Sequence, residues 1–473
     1  MEKPILLLNV PRFLGGKDIT YETITPPEYP PLNLGYLAAF LNKFDYKAEV
    51  IDLDIEKDPN TKLSELLSKK DYLLIGLTFT TPLFENAKKT ATIIKQTNKS
   101  VPIVVGGVHP TISPEECISF ENFDYVIEGE GEVALLKLVK NLTKNIPNLS
   151  EIGGFNYKDK GKNLRNSVRE KPLDLDSLPF PRRDLFLQHK YRWPDTLKEP
   201  VMPIMTSRGC PGRCTYCCSH KICPTVRLRS AENVVNEIEW VINKYGVKEI
   251  HIWDDCFTIS KKRVTEICNL IKQKKLKIKI AFPNGVRADM VDQDILKSLK
   301  EAGAYSIAFG VESGNEEILK KIKKGVTKAQ YIQAFKLAKR AGLETWGFFI
   351  LGLFGETEST IWDTINFAKE LKPDIAKFNL LVPFPGTEIY TQLDDAGLIL
   401  QKDFSKYGYH SKPVYHLETI DMNSLIRFHR QAYREFYLRP SVLLRQLLRI
   451  RSFIRLKINA HLGVDIFKLI FKR

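Results

Sequence analysis

Residues 203–220 read PIMTSRGCPGRCTYCCSH: a short apolar strand, 203–207, that runs straight into a loop crowded with cysteine. Cys210, Cys214 and Cys217 follow the spacing C-x3-C-x2-C. Soft thiolates suit iron–sulfur clusters and zinc. Three of them on one tight loop can hold three irons of a 4Fe–4S cluster, leaving the fourth iron open to a substrate or cofactor. The same residues also admit a zinc knot completed by Cys218, His220 or Cys223. Cys218 adjoins Cys217, so its side chain is expected to point elsewhere.

That strand opens a regular alternation. Strands are expected at 203–207, 249–253, 278–282, 305–310, 345–350 and 375–380, with helical periodicity at 230–244, 260–274, 292–302, 327–341, 357–371 and 387–396. Six βα units match a partial barrel rather than a closed eight-fold one, and a barrel carries its site at the C-terminal ends of its strands. Upstream, the runs 4–10, 46–53, 72–78, 101–106 and 124–127 are rich in Val, Ile and Leu with little alternation, as parallel strands covered on both faces should be. Helical patterns at 32–43 and 82–96 lie between them. The fold class is therefore α/β. A doubly wound, Rossmann-like domain (1–147) is followed by a linker with a hairpin (148–199), a partial six-unit barrel (200–398) and a helical, basic C-terminal region (399–473).

Composition narrows the classes. The chain has 473 residues, 43% hydrophobic and 27% charged, which excludes disorder for the chain as a whole. Five of eight cysteines fall within fourteen residues, too close together to staple a chain of this length, so a metal site in a reducing compartment fits better than a secreted disulfide scaffold. The opening MEKPILLLNVPRF reads as a strand and not a signal peptide, and no apolar stretch reaches a spanning length. The expected location is cytoplasmic. Of the formal charge of +15, +8 falls between Arg439 and Arg473. Around it, RPSVLLRQLLRIRSFIRLKI (439–458) admits two readings. One is an amphipathic helix in peripheral contact with a membrane surface, and the other is a helical cap on the barrel. No aromatic and basic platform for nucleic acid is present.

The cysteine loop, with Tyr216 before the third cysteine, resembles that of radical S-adenosylmethionine (SAM) enzymes. The resemblance runs over about 200–395. It implies that Cys210, Cys214 and Cys217 hold a 4Fe–4S cluster whose open iron chelates SAM, and that a reducing donor such as flavodoxin or ferredoxin supplies electrons. It places further SAM contacts at the strand ends. These are Asp254 and Asp255 in HIWDDCFTIS, Asn284 and Arg287 in AFPNGVRADM, and Glu312 and Ser313 in GVESG. Gly352 in GFFILGLFGET and Pro383 in NLLVPFPGTEIY complete the set.

The first 145 residues resemble the cobalamin-binding domain found ahead of such barrels in one radical SAM class, through PPLNLGYLAAFL (30–41), GLTFTTP (76–82), VVGGVHPTISPEE (104–116) and DYVIEGEGE (124–132). Cobalamin contacts are then expected at Thr78, Thr80, Gly106, Gly107, His109, Glu130 and Gly131, beyond the strand C-termini. The D-x-H-x-x-G motif that ligates cobalt in many cobalamin domains is absent, as is usual in this class. The alternative is a module of the same shape serving only as a substrate lid. The implied activity is cobalamin-dependent methylation of an unactivated carbon on a small hydrophobic substrate. Ring closure or carbon–carbon coupling without methyl transfer is the first alternative, and a non-catalytic cluster- and cobalamin-binding protein the second. No catalytic side chain is assigned beyond the cluster ligands.

Overall fold

The structure, a computed structural model, describes residues 3–12, 29–144, 148–186, 191, 196–408, 411–448 and 463–464. Its N-terminal sheet has seven strands: β1 (Ile5–Asn9), β2 (Ala48–Asp52), β3 (Leu74–Thr78), β4 (Ile103–Gly106), β5 (Tyr125–Ile127), β6 (Phe155–Asp159) and β7 (Lys162–Asn166). They run in the order β2-β1-β3-β4-β5-β6-β7. The first five are parallel, and their order is that of a doubly wound sheet. Leu6 and Leu8 of β1 are buried in one apolar layer, Ile5 and Leu7 in the other, so helices cover both faces. The antiparallel hairpin β6–β7 lies in the segment expected as a linker, and it extends this sheet instead of standing apart. Register aligns Asn9, Asp52, Thr78 and Gly106 at one C-terminal edge.

The second half begins with β8 (Val201–Ile204), then a two-residue pair, β9 (Ser207–Arg208) and β10 (Arg227–Leu228), which closes the base of the cysteine loop. Five longer strands follow: β11 (Glu249–Ile252), β12 (Lys279–Ala281), β13 (Ser306–Glu312), β14 (Glu344–Leu351) and β15 (Ile375–Leu380). Strands β8, β11 and β12 form one parallel sheet, and β13, β14 and β15 another. Parallel bridges Ile280–Ala304 and Val286–Phe309 join the two into one arc. The result is a six-stranded open barrel. Its helices follow ordinary capping rules: Ser230 caps Ala231–Tyr245, and Gly246 ends that helix at φ +64°.

An open barrel leaves β15 with an unpaired edge. The helix Met422–Tyr437 covers it with side chains. Tyr437 Oη accepts from the Ala376 N–H at 3.0 Å and donates to the same residue's carbonyl at 2.8 Å. Tyr433 Oη does the same at Phe378, with both distances 3.2 Å, and His429 Nε2 bonds the Phe378 carbonyl at 2.7 Å. The next helix, Pro440–Leu448, starts the basic tail. Arg445 ties it to the barrel through the Lys372 and Pro373 carbonyls, while Leu443 and Leu444 are exposed. Beyond Leu448 only Gly463 and Val464 are described, so the remainder of the expected tail helix lies outside the described residues. Among the described residues no helix is long and apolar enough to cross a membrane.

Candidate functional site

The cysteine loop leaves β9 at the barrel mouth. Gly209 takes φ +87°, and a Cβ there would lie 3.1 Å from the Thr225 carbonyl, so the tight exit requires glycine. Backbone bonds fix the loop from the barrel side: Thr215 donates to the Ile322 carbonyl and accepts from Ile389. Within it, the N–H groups of Gly212 and Ser219 point at Cys210 Sγ and Cys217 Sγ, each at 3.4 Å. Cys210 and Cys217 are half-buried and Cys214 is buried. The neighbouring Cys256 thiol holds the Cys210 thiol down to about 6, whereas burial pushes Cys217 up to about 12.

Three thiols on one loop, two met by backbone donors, fit a cluster that spreads its ligands over separate irons. A zinc knot needs its ligands gathered around one ion. Among the described residues no three His, Cys, Asp or Glu side chains are so gathered.

Around the loop the expected SAM contacts divide. Glu312 ends β13 at φ +67°, past a register shift against β14. A Cβ at Gly310 would lie 2.5 Å from Glu312 Oε1, so that glycine makes room for the carboxylate. Glu312 pairs with Lys324 at 2.8 Å, and Lys324 Nζ donates to Tyr216 Oη at 3.2 Å. This joins the cysteine loop to the end of the fourth barrel strand. Arg287 donates to the Lys324 carbonyl at 3.3 Å and pairs with Asp289. Asp255 accepts from Ser219 Oγ at 2.7 Å, and Asn284 donates to the Trp253 carbonyl at 3.0 Å. Gly352 has φ +86° and its N–H donates to Glu356 at 2.7 Å, while Tyr415 Oη donates to its carbonyl. Burial pushes the Glu356 carboxyl up to about 8. Pro383 is buried after β15.

Two expected contacts face elsewhere. Asp254 is 2% exposed, and its oxygens accept from Thr206 N–H, Thr206 Oγ1 and Ser207 Oγ, so it anchors the strand beneath the loop. Ser313 is fully buried against Thr364 of the helix Glu358–Leu371 and does not reach the mouth.

The N-terminal sheet presents its C-terminal edge to the barrel. Thr78 accepts from Asn33 Nδ2 at 3.1 Å, Thr80 is exposed, and a Cβ at Gly106 would make only ordinary contact with Ile127, 3.9 Å from its carbonyl. Gly107, at φ +104°, could not carry a Cβ, which would meet Thr78 Oγ1 at 2.6 Å. This glycine-lined edge with threonine hydroxyls fits a flat macrocycle approaching the backbone.

His109 does not join that edge. It is wholly buried, ringed by Phe79, Phe84 and Phe404, and burial lowers it to about 4, so it stays neutral. Glu130 is engaged in holding the domains together, pairing with Arg208 and Arg227 at the base of the cysteine loop, while Glu132 takes the second Arg208 nitrogen at 2.6 Å. Gly131 opens the helix Gly131–Leu142 and lets it close on Leu37. On the far side, the turn after β15 presses on the helix Val108–Ile112, since a Cβ at Gly386 would lie 2.1 Å from Ile112. Arg208, Lys324, Arg227 and Glu356 were not among the expected site residues. Their partners lie far off in sequence or, for Glu356, in its own backbone turn.

Beneath the loop the barrel lumen holds a cavity of about 300 Å³ with aromatic walls that include Trp253, Trp346 and Phe348. Tyr29, from the N-terminal half, closes it edge-on to Trp253 at 5.1 Å.

A glycine-edged doubly wound sheet clamped over a six-stranded open barrel with a three-cysteine loop defines the architecture of cobalamin-binding radical SAM enzymes. Comparison with known proteins agrees. A sequence model of the radical SAM superfamily matches residues 204–368, and one of the B12 binding domain matches 25–139. An uncharacterized methyltransferase of Pyrococcus horikoshii is 35% identical over 90% of this chain and 91% of its own length. The anaerobic magnesium-protoporphyrin IX monomethyl ester cyclase of Rubrivivax gelatinosus is 27% identical over 93% of this chain and 78% of its own. In structure, the radical SAM methyltransferase TsrM of Kitasatospora setae, solved with cobalamin and a 4Fe–4S cluster, superposes with a TM-score of 0.74 over 98% of this chain and 99% of that one, at 16% identity. The chain belongs to the radical SAM superfamily, in the branch that carries an N-terminal B12-binding domain, and it is an enzyme.

Proposed function

We propose that this chain is a cobalamin-dependent radical SAM methyltransferase that adds a methyl group to an unactivated carbon of a small molecule held in the barrel lumen. The observation that carries the reading is the clamp. Glu130 and Glu132 of the cobalamin-type domain grip Arg208 and Arg227 on the two strands at the root of the cysteine loop, which ties the end of the N-terminal sheet that carries the glycines to the loop that carries the cysteines. When bound, the cluster with SAM supplies a 5′-deoxyadenosyl radical, and cobalamin supplies the methyl group.

The chain's own residues bind and orient. Cys210, Cys214 and Cys217 would hold the cluster. Glu312, paired with Lys324, presents a carboxylate oxygen to a ligand's hydroxyl or amino hydrogens. Gly352, at φ +86°, turns the end of its strand. Asn284 and Arg287 supply donors on the opposite rim. Thr78, Thr80, Gly106 and Gly107 would seat the macrocycle. Aromatic walls keep water from the reacting carbon.

Anaerobic reconstitution with SAM and cobalamin should give 5′-deoxyadenosine together with a methylated product. Turnover that is unchanged without cobalamin would sink the proposal. The cyclase relative supports a second reading, oxidation or ring closure without an added carbon, and the mass of the product separates the two.

A further inference from the structure

Among the described residues, the lumen cavity has aromatic walls and a single lysine. Along β15, strand alternation turns Ala376 and Phe378 toward the covering helix and leaves Lys377 on the opposite face, in the cavity wall. Its Nζ stands 4.8 Å from the Trp346 ring centroid and 6.0 Å from that of Phe348. Among the described residues Lys377 makes no ion pair or hydrogen bond. The carboxylates at the same end of the lumen already have donors. Glu344 accepts from Trp346 Nε1 at 3.0 Å, and Glu249 from the Leu197 and Lys198 N–H groups and Tyr305 Oη. A ring face attracts an ammonium group far less than an anion does. Pockets of this kind fix a ligand by a few polar groups set in an apolar wall, and Lys377 is such a group without a counter-charge.

We propose that the substrate is an anionic amphiphile, with a flat apolar body against Trp253, Trp346 and Phe348 and a carboxylate or phosphate on Lys377. The inference rests on the lumen being the substrate pocket of the proposed reaction. It sharpens the expectation of a hydrophobic substrate.

The test is calorimetric titration of the full-length, cluster-reconstituted protein with three probes of one shape: 2-naphthoate, 2-naphthyl phosphate and the neutral 2-naphthamide. At least one anion should bind about 10- to 100-fold tighter than the amide, the usual worth of a charge-assisted bond. Lys377→Met should erase the preference and Lys377→Arg retain it, with Lys377→Gln standing in if the Met variant does not fold. The tighter anion identifies the group. No preference in the wild type, or a preference that survives in Lys377→Met, overturns the proposal. Formation of 5′-deoxyadenosine from SAM in the same preparations reports on the radical chemistry separately, so failure of that reading is told apart from failure of this one.

Discussion

The clamp between the domains can be broken one charge at a time. Glu132→Gln keeps shape and removes a charge from a neutral four-residue cluster: Glu130 and Glu132 against Arg208 and Arg227. The Glu132 and Arg208 side chains are 6% and 10% exposed, so screening by water is slight. Breaking one side of a buried pair costs about 3–5 kcal/mol, and the lower end applies because Glu130 still serves Arg208. We expect a loss of about 3 kcal/mol, roughly a 100-fold shift in the unfolding equilibrium, in urea melts followed by near-UV circular dichroism. Arg208→Met and the double variant complete a cycle whose coupling should be about 2 kcal/mol.

The pH dependence has a definite sign. Burial raises the Glu132 carboxyl, but Arg208 outweighs it and leaves the group below the usual carboxylate range. A carboxyl depressed in the folded state contributes stability above its unfolded value of about 4.3 and loses it as pH falls through the folded value. The wild-type advantage is therefore full at neutral pH and shrinks in acid. A loss below about 1 kcal/mol at pH 7, the range of exposed pairs, would refute the reasoning.

Alanine at Cys210, Cys214 or Cys217 should abolish the visible iron–sulfur absorbance after reconstitution, whereas alanine at Cys218 or Cys223 should keep it; iron analysis checks both. Gly352→Ala places a Cβ 2.2 Å from Tyr415 Oη at φ +86°, so SAM affinity by calorimetry should fall, and adding Tyr415→Phe should restore part of it. His109→Ala should leave cobalamin affinity nearly unchanged yet cost about 2–4 kcal/mol of stability for the cavity it opens in an aromatic core. Because folded His109 resists protonation down to about 4, that residue also makes the wild type lose stability as pH falls from about 6.5, and His109→Phe should flatten this slope in thermal melts.

The parts written in local spacing were legible before any coordinates. Three cysteines at fixed intervals, and apolar runs at the period of covered parallel strands, depend only on neighbours in sequence. The direction a polar side chain takes at a strand end does not. Asp254 and Asp255 are adjacent and of equal charge, yet one anchors Thr206 and the other meets Ser219. Glu130 had the position of a ligand contact because nothing in its surroundings announces Arg208, 78 residues away. Lys324 escaped notice for a related reason: its partner Glu312 occupies a left-handed backbone conformation that no propensity predicts. His109 sits in a glycine-rich turn typical of ligand sites, and only the packing of Phe404, from beyond the barrel, shows it enclosed.

The phenol hydroxyls on β15 carry a consequence for assembly. A sheet edge with free donors and acceptors is a template for any extended chain, and full closure is one way to remove it. Here Tyr433 and Tyr437 each satisfy both backbone groups of one residue, as a neighbouring strand would, without adding a strand. The barrel can thus stop at six strands, two short of a ring, and still offer that edge to no other molecule. A chain ending before Met422 would uncover it, and the expected result is self-association through β15 rather than a smaller functioning enzyme.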